Sequence, residues 1–350
     1  MSTADLFTQE EQTIAATNAW LARKGADQDP DNRQMVESLL HEYCKLFKVT
    51  RRLLRVSDRN DEELRRLRNA AETAKATLSR YFSPNLAEQL VVDPDFLGLG
   101  GERRELTFLF TDIADFTALV ETHDPVVTVP LLNEYLDNMT QIVFRHGGTT
   151  DKIVGDALHV IFGAPVEQPE QAASGLACAL EIDAFSESFR RQKAEEGIHL
   201  GVTRIGLHKG AATVGNFGGE VFFNYTAYGD TVNTAARLES VNKHLGTRIC
   251  ASATVVDGIT GFIGRPVGTL ILKGKTSGLK VFEPLAPEQM CSSVVAAYNA
   301  AYEKLESDDP SAKQAFAAIV AKHGEDPLAI FHLVRLLAGD SGNTIVVDEK

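Results

Sequence analysis

From Glu105 to Lys275 the hydrophobic period of the chain switches back and forth between that of a strand and that of a helix. ELTFLFTDI (105–113) is a short apolar run rich in Phe and Leu, the pattern of a buried strand. VVTVPLLNEYLDNMTQIVFRHG (126–147) has helical spacing and ends at Gly147-Gly148, and KIVGDALHVIFG (152–163) reads as a hairpin turning at Gly155-Asp156. A second helix over 169–197 stops at Gly, strand-like VTRIGLHKGAATVGNFG (202–218) follows, and a third helix is predicted from Asp230 to Leu245. RICASATVVDGI and GTLILKGK complete the set. This β-α-β-β-α-β order, with hairpins between crossovers, predicts an α+β domain: an antiparallel or mixed sheet with helices packed on one face.

The flanks differ from this pattern. Residues 1–34 are a polar N-terminal segment in which DQDPDN marks a break. From Met35 to Tyr81 there is neither Gly nor Pro, and 35–82 is predicted as one long helix. A 3-4 spacing picks out Leu46, Thr50, Leu53, Ser57, Asn60, Leu64, Leu67, Ala71, Ala74 and Leu78, a heptad-like seam with small and polar members. A parallel coiled coil and a single amphipathic helix packed on its own domain both fit that seam. The arginines crowded there (Arg51, Arg52, Arg55, Arg65, Arg66, Arg68) read as a solvated face. Residues 83–103, punctuated by Pro and Gly, are expected to be a linker, 104–286 the main domain, and 287–350 a small helical tail. The tail's helices are spaced like one tetratricopeptide-type unit, which cannot bury both faces alone and is expected to dock on its own domain or on a partner.

The net charge of −13 argues against non-specific nucleic-acid binding, which needs a basic footprint. A small polyanion is still open to the chain, because local cations and metals outweigh the global field. Cys44, Cys178, Cys250 and Cys291 lie far apart, so neither a disulfide framework nor a zinc site is indicated, and a reducing compartment suits them. The N-terminus has no basic n-region, and no apolar run approaches the length of a membrane span; the chain reads as cytoplasmic.

Asp112 in FTDIADFT and Asp156 in KIVGDALHV each close or turn a hydrophobic strand, where a carboxylate has no packing role. Either alone is ordinary turn chemistry. Two carboxylates brought to the same edge of a sheet would hold Mg²⁺ or Mn²⁺ through oxygen ligands.

Taken in order, FTDIADFT, KIVGDALHVIFG, GLHKGAATVGNFG, NYTAYGDTVNTAARLES and LKGKT resemble the class III adenylate/guanylate cyclase catalytic domain over about residues 104–285. The resemblance implies a ferredoxin-like core that works as a head-to-tail homodimer with composite active sites, taking ATP and two divalent cations (Mg²⁺ or Mn²⁺) per site. Through it, Asp112 and Asp156 become the metal-binding aspartates, with the Ile113 carbonyl as a further ligand. One metal would lower the pKa of the ribose 3′-hydroxyl and the other would clamp the triphosphate. Asn233 and Arg237 match the family's transition-state pair, and four residues apart on one helix they share a face. Arg237 is expected to neutralise charge developing on the α-phosphate, and Asn233 to orient the ribose. Lys273 of LKGKT resembles the lysine that grips the outer phosphates. Ala114, Asp115, Phe116 and Thr117 are expected to open a helix whose first N–H groups point at the triphosphate. Gly-rich GNFGGE (215–220) lacks the Lys-Ser/Thr of a phosphate loop and reads as a hairpin turn or dimer-facing loop.

Base choice rests on Lys152 and Thr226. Lys152 fits the purine-selecting lysine, and Thr226 stands where the family commonly has aspartate. A threonine oxygen can accept from the exocyclic amino group of adenine, so the pair implies ATP. The combination resembles the class IIIb subgroup, several of which respond to bicarbonate. Guanylate cyclases of the family tend to carry Glu at the lysine position. His208, His146 and His159 make no metal-ligand spacing and are read as structural. Two further classes are weighed: an inactive cyclase-like nucleotide-binding module, and an RNA-binding ferredoxin-like domain. The presence of Asp112, Asp156, Asn233 and Arg237 disfavours the first, and the acidic charge the second. A regulator acting through the N-terminal helix or the tail is left open.

Overall fold

The computed structural model of the protein describes residues 7–22, 30–78, 83–93, 96, 98–219, 221–275, 277–290, 292–324 and 326–347. The chain forms two compact units, 1–80 and 81–350.

The first unit holds helices α1 (Thr8–Leu21) and α2 (Pro30–Leu78). Proline suits a first helical turn, where its missing N–H costs nothing, and α2 accordingly opens at Pro30, ahead of Met35. The ring of Phe7 meets Phe47 edge-on at 5.2 Å, Glu11 pairs with Arg51 at 2.9 Å, and Arg33 donates to the Leu21 carbonyl at 2.9 Å. Helix α1 therefore folds back along the first half of α2. It covers a face bearing Leu40, Cys44, Phe47 and Leu54. The heptad-like seam lies one position round the helix, with Leu46, Leu53, Leu64 and Leu67 at 65, 63, 63 and 61% exposure.

The second unit opens with α3 (Pro84–Val92) and strand β1 (Gly100–Ile113), which occupy most of the stretch read as linker. Leu86 and Ala87 are buried and Asn85 donates to the Gly147 carbonyl at 3.1 Å, so this segment is packed against the sheet domain. There follow α4 (Phe116–Thr122), α5 (Pro125–Arg145), β2 (Thr149–Val154), β3 (Ala157–Phe162), α6 (Gln171–Glu195), β4 (Thr203–Gly218), β5 (Phe223–Tyr228), α7 (Asp230–Leu245), β6 (Ile249–Ser252), α8 (Ala253–Val256), β7 (Gly264–Ile271) and β8 (Leu279–Pro284). The chain ends in α9 (Pro287–Met290), α10 (Ser293–Glu306), α11 (Ala312–His323), α12 (Pro327–Ala338) and β9 (Thr344–Val346). Among the described residues the strands form one mixed sheet in the order β2-β3-β1-β4-β6-β8-β7-β9, with β5 paired to β4.

Alternation along β1 separates the two faces of the sheet. Leu109 and Ile113 join Ile205 and Leu207 of β4 in a core completed by Tyr135, Met139 and Ile142 of α5 and Cys178 and Ile182 of α6. Leu106, Phe108 and Phe110 point the other way, into a cluster with Ala235 of α7. The one-face packing expected from the element order is thus corrected: α5 and α6 cover one face and α7 lies across the other. Space for α7 comes from β4. A Cβ on Gly206 would overlap the Glu239 amide nitrogen and the Ala235 carbonyl oxygen. Glycine there lets helix and strand backbones touch.

The tail docks on its own domain. Tyr298, Tyr302, Phe316, Leu328 and Ile345 share a buried core with Leu238, Val241 and Leu245 of α7 and Val267 and Leu270 of β7. Strand β9 pairs in parallel with β7 and lengthens the sheet.

Candidate active site

The register of β1 against β3 builds the acidic half of the site. Thr111 faces Leu158, so Asp112 at the end of β1 comes beside the Gly155-Asp156 turn. Gly155 adopts φ +64°, which closes that turn tightly. The Asp156 carboxylate accepts the Ile113 N–H at 2.9 Å. Burial raises the Asp156 pKa, and the negative charge of Asp112 adds to the rise. Arg204, opposite Asp112 in the β1–β4 register, forms an ion pair with it. The other side of the same guanidinium lies 3.1 Å from Glu239 of α7. Burial chiefly, then Asp112, pushes the Glu239 carboxyl up to about 7.

Two half-buried carboxylates next to a backbone carbonyl offer hard oxygen donors, and their mutual repulsion is what a divalent cation removes. No cluster of three or more His, Cys, Asp or Glu side chains occurs among the described residues, so a closed structural metal cage is not built here. The donor set fits Mg²⁺ or Mn²⁺ completed by substrate oxygens. Arg204 supplies positive charge to Asp112 within the chain. It was missed in the sequence because only strand register makes it face Asp112; the available signal was a lone Arg at the start of a strand, just before the apolar run Ile205-Gly206-Leu207.

Helix α7 carries the second half. Asn233 is exposed and Arg237 half-buried, and neither side chain has a hydrogen-bond or ion-pair partner among the described residues. The rest of α7 is buried through Thr234, Ala235, Leu238 and Val241. Asn242 donates to the Ile205 carbonyl at 3.0 Å and ties the helix to β4.

Lys152 follows a β-bulge. Thr150 pairs with Val160 but Lys152 with His159, so Asp151 is the extra residue. The bulge re-aims Lys152 outward, where its ammonium lies 3.5 Å from Asp151. Thr226 is buried in β5 opposite Gly215. No hydrogen bond or ion pair joins Lys152, Thr226, Asn233 or Arg237 to Asp112 or Asp156 among the described residues.

Lys273 stands exposed in the turn after β7. Its neighbour in the same motif, Lys275, reaches α7, bonding Asp230 at 2.6 Å and Thr234 at 2.7 Å. The Ala114 N–H is already donated to the Val202 carbonyl at 2.9 Å, so it is not free for phosphate. Helix α4 starts at Phe116 behind Asp115 in the left-handed region; Phe116 packs on the core and Thr117 is exposed. His146 lies 2.6 Å from Glu181, His159 packs its ring on Phe110, and His208 bonds Ser252 at 2.8 Å, each a structural arrangement.

A mixed sheet with paired carboxylates at one edge and an Asn/Arg couple on a covering helix is the framework of a nucleotide cyclase. The family model for the adenylate and guanylate cyclase catalytic domain matches residues 101–283, just over half of the chain. The chain belongs to that family. It is 32% identical over 271 residues to "Adenylate cyclase 1" of Rhizobium meliloti (strain 1021), covering 77% of this chain and 40% of that protein. It is 28% identical over 186 residues to "Adenylate cyclase" of Anabaena cylindrica, covering 51% and 36%. The chain thus spans less than half the length of these curated relatives. The solved adenylyl cyclase CyaB from P. aeruginosa superposes with a TM-score of 0.51 at 31% identity, over 55% of this chain and 100% of that one. No helix among the described residues is long and apolar enough to cross a membrane.

Proposed function

We propose that the protein is an adenylate cyclase that converts ATP to 3′,5′-cyclic AMP and pyrophosphate at composite sites shared between two copies of the chain. The observation that carries this reading is the Asp112–Asp156 pair at one sheet edge, with no hydrogen bond or ion pair to the Asn233–Arg237 couple, which itself has no such partner among the described residues. Both halves are formed and neither is complete alone. Asp112, Asp156 and the Ile113 carbonyl would hold two divalent cations, Mg²⁺ or Mn²⁺. When bound, these supply charge for the triphosphate and acidify the 3′-hydroxyl.

The remaining roles fall to the chain's own groups. Arg237 from the second copy carries fixed positive charge for the α-phosphate as its bond to the bridging oxygen of pyrophosphate breaks. Asn233, one turn away on the same face, orients the ribose so that its 3′-oxygen lies in line. Lys275, anchored on α7 by Asp230 and Thr234, and exposed Lys273 are the motif's cations for the outer phosphates. Lys152, turned outward by the bulge, and Thr226 read the adenine edge, and relatives named adenylate cyclase support that choice. Helix α2 would hold the two copies together through its exposed seam.

The test is product analysis with ATP or GTP, Mg²⁺ or Mn²⁺, with and without bicarbonate. Cyclic AMP from ATP should dominate. A preference for GTP would move the reading to guanylate cyclase, and binding without turnover of either nucleotide to a regulatory module.

A further inference from the structure

Helix α7 is held from behind by the tail. Leu238, Val241 and Leu245, beside Arg237 and one and two turns beyond it along α7, share a buried core with Leu328 of α12 and Ile345 of β9. The end of α7 abuts the start of α12: a Cβ on Gly246 would lie 2.5 Å from the Pro327 Cβ. Buried Arg265 of β7 pins that junction. Its guanidinium reaches Glu283 of β8 at 2.5 Å and Asp326 at 2.5 Å, and it lies 4.6 Å from the centre of the Tyr298 ring. The second Asp326 oxygen caps α12 by accepting the Ala329 N–H at 2.8 Å. One arginine therefore ties two strands and the first turn of α12 into a single piece, against which the last turn of α7 rests. An apolar cluster would bury as much surface; directional bonds to a planar guanidinium add a fixed orientation.

We infer that the tail is a positioning element for α7, with Arg265 and Asp326 as positioning residues for the couple Asn233 and Arg237. The inference rests on the composite-site reading proposed above. It adds a direction: since α7 of one copy serves the carboxylates of the other, the tail of each copy acts on the site whose Asp112 belongs to its partner. Misplacement of a transition-state group by about 1 Å costs on the order of a hundredfold, so a loosened tail should lower kcat by roughly tenfold. KM for ATP and the Mn²⁺ dependence should change less than kcat, because α7 reaches the phosphate and carboxylate groups only indirectly, through Lys275 and through Glu239 and Arg204.

The test uses heterodimers of an Asp112→Ala chain and an Arg237→Ala chain, purified through two tags, in which one site is intact. Asp326→Asn keeps the capping oxygen and removes the charge facing Arg265. Placed in the Asp112→Ala chain, it sits behind the α7 that serves the live site, and kcat should fall roughly tenfold. Placed in the Arg237→Ala chain, it sits behind the idle α7, which reaches the live Asp112 only through Glu239 and Arg204, and the loss of kcat should be clearly smaller. Leu328→Ala, which leaves the ion pairs and opens a void between α12 and α7, should give the same asymmetry. Equal loss in both placements, with an active parent heterodimer, overturns this inference alone. An inactive parent heterodimer overturns the shared site and the inference with it.

Discussion

The Ile113 amide and the Asp156 carboxylate are joined by a 2.9 Å hydrogen bond that ties the end of β1 to the β2–β3 turn. It fixes one carboxylate oxygen on the backbone next to Asp112 and holds two like charges together at the same edge of the sheet. Burial and Asp112 both raise the Asp156 pKa, while the Ile113 N–H and Arg204 lower it, so the pair is only partly compensated within the chain.

Asp112→Ala and Asp156→Ala should each lower cyclase activity by roughly a hundredfold or more, the scale of losing a major electrostatic stabiliser. Each relieves repulsion between two carboxylates but also removes a bond, to the Ile113 N–H or to Arg204, so the chain should still fold, with a modest fall in melting temperature. Near-normal turnover at saturating Mn²⁺ in either variant removes the paired-carboxylate site.

Lys152→Glu should depress ATP turnover by replacing a donor to the purine with an acid. The bulge at Asp151 keeps the side chain turned outward, so the backbone should be unaffected. Competition between ATP and GTP measures the effect, and an unchanged preference would take Lys152 out of base recognition.

Acid should loosen the tail through His332. The Tyr298 hydroxyl donates to the Pro266 carbonyl at 2.8 Å, and His332 Nε2 donates to that hydroxyl at 3.1 Å. Burial chiefly, then Arg335 and Arg265, pushes the imidazole down to about 3, against smaller raising effects that include Asp326. The unfolded chain takes this proton below about pH 6.5 and the native chain does not, so the contribution is full above that pH and lost as pH falls towards 3. Between pH 7 and 5, wild type should lose about 2 kcal/mol more stability than His332→Phe, measured by urea unfolding. Equal losses in the two proteins contradict this.

Deleting residues 1–82 should shift the protein towards monomer and change basal activity. The seam through Leu46, Leu53, Leu64 and Leu67 is exposed while α1 occupies a neighbouring face. Thr50, Ser57 and Asn60 within it suit an adjustable coil. Sedimentation showing the same dimer affinity without this segment would leave α2 as a helix that pairs only with α1.

The element order, the hairpin at Gly155-Asp156 and the length of α7 were legible because each is a local matter of period and punctuation. What depends on register was not. Arg204 meets Asp112 only through the antiparallel pairing of β1 with β4. Gly206 looks like any strand glycine until α7 is laid against it on the second face of the sheet. The lysines of LKGKT stand two residues apart, and only contact with Asp230 and Thr234 distinguishes Lys275 from Lys273. Strand β9 is too short to carry a period and exists through its pairing with β7.

The shared site is tested most directly by complementation. Asp112→Ala and Arg237→Ala homodimers should both be inactive, because every site in each carries a lesion. In a mixed dimer the lesions segregate, leaving one site with both and one with none. Random exchange makes about half of the dimers mixed, each with one intact site, so mixing the two inactive proteins should restore roughly a quarter of wild-type activity. Verified heterodimers that stay inactive would contradict the account, even if the wild-type chain makes cyclic AMP.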